Sequence, residues 1–215
     1  MKIVFYGDSI TDARRERGTS GSIYELGCGY VRVVADRLTG NAPEKYEVVN
    51  RGISGNRVVD LYARIKCDLW NENPDVISIL IGINDIWHEI AHNNGVDIVR
   101  FEKVYRMMIE DTKKVLPNTK IMLCEPFVLE GSATVEEGTD KYERFCEVYE
   151  YAKVVEKLAK EFGLPYVKLQ QAFTEKAKTS KAEYYLADGV HPHTAGATLI
   201  ADEWMKVFNK YIKED

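Results

Sequence analysis

Ser9, Asp188 and His191 are the residues of this chain whose types and order could carry out nucleophilic attack on a carbonyl. A serine hydroxyl is a weak nucleophile at neutral pH. An imidazole must take its proton, and a carboxylate must hold that imidazole in the right tautomer. Ser9 lies in Gly7-Asp8-Ser9-Ile10-Thr11, directly after the apolar run Ile3-Val4-Phe5-Tyr6. Asp188-Gly189-Val190-His191, near the far end, supplies a carboxylate and an imidazole three residues apart.

The elements that must position these groups alternate along the chain. Strands are predicted at Lys2–Tyr6, Glu47–Asn50, Asp75–Ile81, Thr119–Cys124 and Tyr166–Leu169. Val76-Ile77-Ser78-Ile79-Leu80-Ile81 is nearly continuous in apolar residues, as suits a parallel strand covered on both faces. Helical periodicity is predicted over Tyr30–Leu38, Val58–Trp70, Ile98–Val115, Lys141–Phe162 and Thr194–Tyr211. Leu116-Pro117 and Gly163-Leu164-Pro165 are stop signals for the third and fourth of these helices. The expectation is an α/β fold, a flavodoxin-like three-layer sandwich around a five-stranded parallel sheet with right-handed crossovers. No repeat or linker interrupts residues 1–215, so one domain is expected.

In such sheets the ligand crevice lies beyond the C-terminal ends of the strands. Three glycine-bearing polar turns follow the first three strands: Gly7-Asp8-Ser9, Asn50-Arg51-Gly52-Ile53-Ser54-Gly55-Asn56 and Gly82-Ile83-Asn84-Asp85. Acyl transfer needs donors aimed at a tetrahedral oxyanion. The backbone N–H groups of Ser9 and Gly52 and the side-chain amide of Asn84 are the candidates. Each turn alone is explained by tight strand-to-helix connection. Their convergence, together with Asp188 and His191, favours a site.

These four blocks resemble the SGNH (GDSL-type) hydrolase family. They stand in the family's order as Gly7-Asp8-Ser9-Ile10-Thr11, Gly52 within Asn50 to Asn56, Gly82-Ile83-Asn84-Asp85 and Asp188-Gly189-Val190-His191-Pro192. The resemblance implies Ser9 as nucleophile, His191 as base and Asp188 as the residue that orients it. It also implies an oxyanion hole from the N–H groups of Ser9 and Gly52 and the amide of Asn84. Tyr30-Val31, Ile81 to Trp87 and Glu125-Pro126-Phe127 are most similar to intracellular acetylxylan esterases, which implies removal of short acyl groups from carbohydrate esters. Some of those relatives carry Trp just before the triad Asp, where this chain has Ala187. A short-chain lipid ester, a lysophospholipid or a thioester stays open as substrate on the same residues. A non-catalytic flavodoxin-like module binding a phosphate-bearing ligand would leave the Asp188–His191 pair without purpose.

Competing readings attach to several residues. Ser9 alone would be a helix cap. His193 rivals His191, but it precedes a helix start and is expected to be exposed. Asp8 and Asp85 are expected to hold turns by hydrogen bonds, and Asp12 to be a cap or loop residue. His88-Glu89-Ile90-Ala91-His92 matches the H-E-x-x-H pattern of zinc peptidases. Ile98 holds the third ligand position and Asn93-Asn94-Gly95 should break the helix, so a surface helix is the better account and no metal is expected. Among 13 Tyr and three Trp, Trp87 and Tyr184 fall near the site and are candidates for substrate binding, with simple packing the alternative.

Composition bounds the setting. At 215 residues, 45% hydrophobic and 29% charged, the chain can bury a full core. A net charge of −5 disfavours nucleic acid or an anionic membrane as partner. No apolar run nears the roughly 20 residues of a membrane span. The start lacks a signal-peptide pattern, and Cys28, Cys67, Cys124 and Cys146 are scattered without CxxC spacing. A cytoplasmic location, no cofactor, a small-molecule or oligosaccharide ester as partner and room for a homo-oligomer are the expectations. Phe127–Asp140, with Gly131 and Gly138, is long enough to form a lid.

Overall fold

Apolar strands pair in the computed structural model, which describes residues 1–18 and 21–212. Strands β1 (Lys2–Gly7), β2 (Glu47–Gly52), β3 (Val76–Leu80), β4 (Lys120–Cys124) and β5 (Tyr166–Val167) form one parallel sheet in the order β2-β1-β3-β4-β5. This is the flavodoxin-like order, with its switch point between β1 and β3. Every residue of β3 is buried. Helices α1 (Ser9–Asp12), α2 (Tyr30–Asn41), α3 (Val58–Asp68), α4 (Ile83–His92), α5 (Ile98–Val115), α6 (Lys141–Phe145), α7 (Val148–Phe162), α8 (Gln170–Ala177) and α9 (Thr194–Tyr211) connect or follow the strands.

Strand alternation sends neighbouring side chains to opposite layers. Phe5 meets Tyr30 of α2 and Trp204 of α9, with ring centroids 5.6 and 5.1 Å apart. Tyr6 points the other way, and its hydroxyl donates to the Leu61 carbonyl of α3 at 2.6 Å. Helix α2 accordingly packs on α9, while α3, α5 and α7 pack in sequence on the opposite face. The buried indole of Trp204 donates to Ser78 Oγ at 2.9 Å, which satisfies the one polar side chain of β3.

Several boundaries differ from the sequence reading. Strand β2 runs two residues further, to Gly52. Helix α3 ends at Asp68, and Trp70–Glu72 tighten into a 3-10 turn closed by Asn73 in the left-handed region before Pro74. The predicted helix over Lys141–Phe162 is two helices, α6 and α7. The break turns Phe145 toward Trp87, at a centroid distance of 5.4 Å, while α7 faces the core. Strand β5 stops at Val167 because the Glu125 carboxylate accepts from Leu169 N–H (2.6 Å) and Gln170 N–H (2.8 Å), which starts α8. Helices α1 and α8 have no counterpart in the sequence reading.

The segment 127–135 is a strap rather than a lid. Phe127, Val128 and Leu129 are buried, as is Thr134. Leu129 N–H donates to the Gly189 carbonyl at 2.9 Å and Ala133 N–H to the Asp188 carbonyl at 3.0 Å. Among the described residues no helix is long and apolar enough to cross a membrane.

Candidate active site

The first turn of the site forms because β1 runs directly into a residue that caps the next helix. Asp8 Oδ1 accepts from Ile10 N–H at 2.9 Å and so starts the short helix α1 with Ser9 in its first position. Ser9 Oγ then lies 2.9 Å from His191 Nε2, and His191 Nδ1 lies 2.7 Å from Asp188 Oδ2. The structure therefore brings Ser9, His191 and Asp188 into one hydrogen-bonded line across 182 residues of chain.

Asp188 and His191 are held by a local turn. Asp188 Oδ1 accepts from Val190 N–H (3.0 Å) and His191 N–H (2.8 Å), and Ala187 N–H donates to the His191 carbonyl at 2.8 Å. Gly189 sits at φ +97°, and a Cβ there would lie 2.5 Å from the Leu129 carbonyl oxygen. Only glycine fits such a backbone at such an approach. Partial burial pushes the Asp188 carboxyl up, but the hydrogen bonds from His191 and from the backbone outweigh it and leave it at about 2. The same Asp188 bond raises the pKa of His191, against the effect of burial. An imidazole so placed can accept a serine proton and hold the resulting charge.

The oxyanion donors depart from the sequence reading at one residue. Gly52 does not offer its N–H, which donates to Asn50 Oδ1 at 2.9 Å. Gly52 still belongs to β2, and a Cβ there would lie 2.2 Å from the Asp12 amide nitrogen. A strand ending at Asn50 places it wrongly in the turn. The turn proper is Ile53 to Asn56, and it contains Gly55, which the sequence places in this stretch without marking it as a donor. Gly55 has φ +82°, and its N–H has no acceptor among the described residues. A second glycine three residues past the first, after Ser54, is the signal the sequence offers. The N–H of Ser9 is equally unengaged among the described residues.

Asn84, in the first turn of α4, is nearly buried, and its Nδ2 donates one hydrogen to the Asn56 carbonyl at 3.0 Å, leaving the other free. Ile53 N–H donates to the Gly7 carbonyl at 3.0 Å, and Ser54 N–H and Oγ donate to Asp12 Oδ2 at 3.0 and 3.1 Å. Asp12 is thus a buried fastener, beyond the cap or loop role expected, and Arg17 also pairs with it. From α3, Arg64 donates to the Gly7 and Arg51 carbonyls and to Asn56 Oδ1 (3.1, 2.8 and 2.7 Å). Nothing in local sequence marks Arg64, because its partners lie on two other segments, at Gly7 and along Arg51 to Asn56.

Asp8 and Asp85 hold turns as expected. Asp85 accepts from Val58 N–H at 3.1 Å, and burial pushes its carboxyl well above the usual range. Burial likewise raises Asp8 to about 7, against the Ile10 N–H and the nearby His191, and its Oδ2 has no partner among the described residues. Trp87 packs on the His191 ring at 5.8 Å between centroids, backed by Phe145. Tyr184 is 61% exposed and lines an outer hollow of about 570 Å³ with Ala187 and His193. His193 is the exposed residue preceding α9.

Comparisons with known proteins agree with this geometry. The profile of the GDSL-like lipase/acylhydrolase family matches residues 5–199. The chain is 36% identical over 211 residues to the acetylxylan esterase of Geobacillus stearothermophilus, covering 95% of this chain and 92% of that protein. The crystal structure of that esterase superposes with a TM-score of 0.84. A structure described as that of a GDSL-like lipase from Parabacteroides merdae ATCC 43184 gives 40% identity and a TM-score of 0.89, covering 97% and 95% of the two chains.

Proposed function

The chain belongs to the GDSL-like lipase/acylhydrolase family and is a serine esterase, and from that premise we propose that it removes acetyl groups from carbohydrate esters with Ser9 as nucleophile, His191 as general base and Asp188 as its orienting partner. The observation that carries the roles is the unbroken line from Ser9 Oγ through His191 to Asp188, at 2.9 and 2.7 Å. His191 Nε2 takes the Ser9 proton as Oγ attacks the ester carbonyl, and returns it to the departing alcohol. Water, activated by the same imidazole, then releases the acyl group. The N–H groups of Ser9 and Gly55 and the Asn84 amide receive the oxyanion at each step. The substrate class is supported by the likeness to an acetylxylan esterase. Trp87 adds a ring face beside His191, where the alcohol leaves. A cytoplasmic setting is supported by four unpaired cysteines.

Replacing Ser9 by Ala tests the reading. Hydrolysis of p-nitrophenyl acetate and of acetylated xylo-oligosaccharides should fall by about 10³-fold or more with the fold retained. Activity within tenfold of the parent would overturn the nucleophile. Across p-nitrophenyl esters, acetyl should exceed butyryl by about tenfold in kcat/KM. A preference for octanoyl would move the substrate to lipid esters.

A further inference from the structure

His88 and His92 sit one turn apart on α4, with rings meeting edge to face at 6.0 Å. Among the described residues, no group of three His, Cys, Asp or Glu is arranged to hold a metal. Their surroundings differ. His92 is exposed at the helix end, whereas His88 is half-buried. His88 Nε2 lies 3.9 Å from the point where a side chain on Gly55 would begin. Asn84, Trp87 and His88, spaced by three and four residues, share one face of α4. That face presents an amide tied to Asn56, an indole against His191 and an imidazole against Gly55.

No ring nitrogen of His88 has a hydrogen-bond partner among the described residues. Burial and then the Arg57 guanidinium hold its pKa below the usual imidazole value, with Asp60 acting the other way. At neutral pH the ring is uncharged and offers one donor and one acceptor. We propose that His88 is a substrate-binding residue, hydrogen-bonding the hydroxyl next to the acylated carbon on the alcohol half of the ester. An acetyl group has only its carbonyl oxygen for polar contact, and the oxyanion donors take that oxygen. A polar ring beside those donors therefore serves the alcohol. In a sugar ester the neighbouring carbon carries a hydroxyl of the kind such a ring can bind. This inference rests on the carbohydrate-ester reading above.

The test pairs an altered enzyme with an altered substrate. The substrates are a methyl xyloside carrying one acetyl group with the adjacent hydroxyl free, and its analogue deoxygenated at that adjacent carbon. The parent should prefer the hydroxylated ester by about tenfold or more in kcat/KM, mostly through KM. His88→Ala should bring the ratio close to one, and His88→Gln, whose amide can still donate, should restore part of it. Thermal melts establish that both variants are folded. A parent with no preference, or His88→Ala retaining it, overturns the proposal and leaves the esterase intact. A parent that cleaves p-nitrophenyl acetate but neither xyloside overturns the carbohydrate reading, and this proposal with it.

Discussion

Gly131→Ala should cripple the esterase from a position that touches no substrate. The strap 127–135 lies on the turn that carries Asp188 and His191, and Gly131 is its point of closest approach. A Cβ on Gly131 would lie 2.2 Å from both the Asp188 carbonyl carbon and the Gly189 nitrogen, where ordinary contact begins near 3.4 Å. Both parties are backbone, so no side chain can swing aside, and the Asp188–Gly189 peptide must move by about 1 Å. A shift of that size at a reacting group costs about 10²-fold in rate, or about 2.7 kcal/mol of barrier. Overpacking adds about 1–3 kcal/mol of destabilisation, and a chain of this size loses about 2–4 °C of Tm for each. The assay is kcat on p-nitrophenyl acetate beside a thermal melt. Gly138→Ala is the control, since its site, just past the strap, has φ +76° and nothing within 4 Å, so it strains the nearby backbone without a clash. The control should lose Tm but little rate. The acidic limb of the Gly131→Ala profile should also move to lower pH, because a displaced Asp188 no longer raises the His191 pKa. If kcat stays within threefold of the parent while Tm falls, the strap does not register the triad and the reasoning fails.

Other outcomes rest on the same geometry. Asn84→Ala should lower kcat by about 10² to 10³, roughly 2.7–4 kcal/mol, with KM little changed; a rise in KM alone would make Asn84 a substrate-binding residue instead. In the parent, kcat/KM should fall as pH drops through a His191 pKa lying above the usual value near 6.5, because protonated imidazole cannot accept the Ser9 proton. Asp188→Asn should move that limb to lower pH and cut kcat by about 10⁴; an unmoved limb would mean that another group titrates. Asp8 at about 7 holds a proton that the unfolded chain releases near 3.9, so it costs stability increasingly from about pH 4 to pH 7 and constantly above. Asp8→Asn keeps an acceptor for Ile10 N–H and should therefore gain Tm over the parent as pH rises from 4 to 8. A difference independent of pH would place the Asp8 proton elsewhere.

Features carried by local pattern were determined by the sequence itself. The nearly continuous apolar run of β3, the alternation of strands with helices and the stop signals at Pro117 and Gly163 were enough for a parallel sheet. The spacing of Asp188 and His191 marked their turn, because Asp188 binds its own neighbours' N–H groups two and three residues on. Whatever depends on where a strand stops was decided only in three dimensions. Gly52 and Gly55 both stand in a polar, glycine-bearing stretch. Pairing of β2 with β1 through Gly7 and Gly52 keeps Gly52 in the strand, and Asn50 takes its N–H, which leaves Gly55 free. The length of that ladder is set by the partner strand, and no local propensity records it. The same holds for the strap, where glycine suggested mobility by sequence but closes a contact with Asp188. It holds again for Trp87 and His88, adjacent in sequence, which the helical turn aims at His191 and at Gly55. Periodicity and capping are written within a few residues, whereas close backbone approaches and unclaimed donors exist only once distant segments have packed.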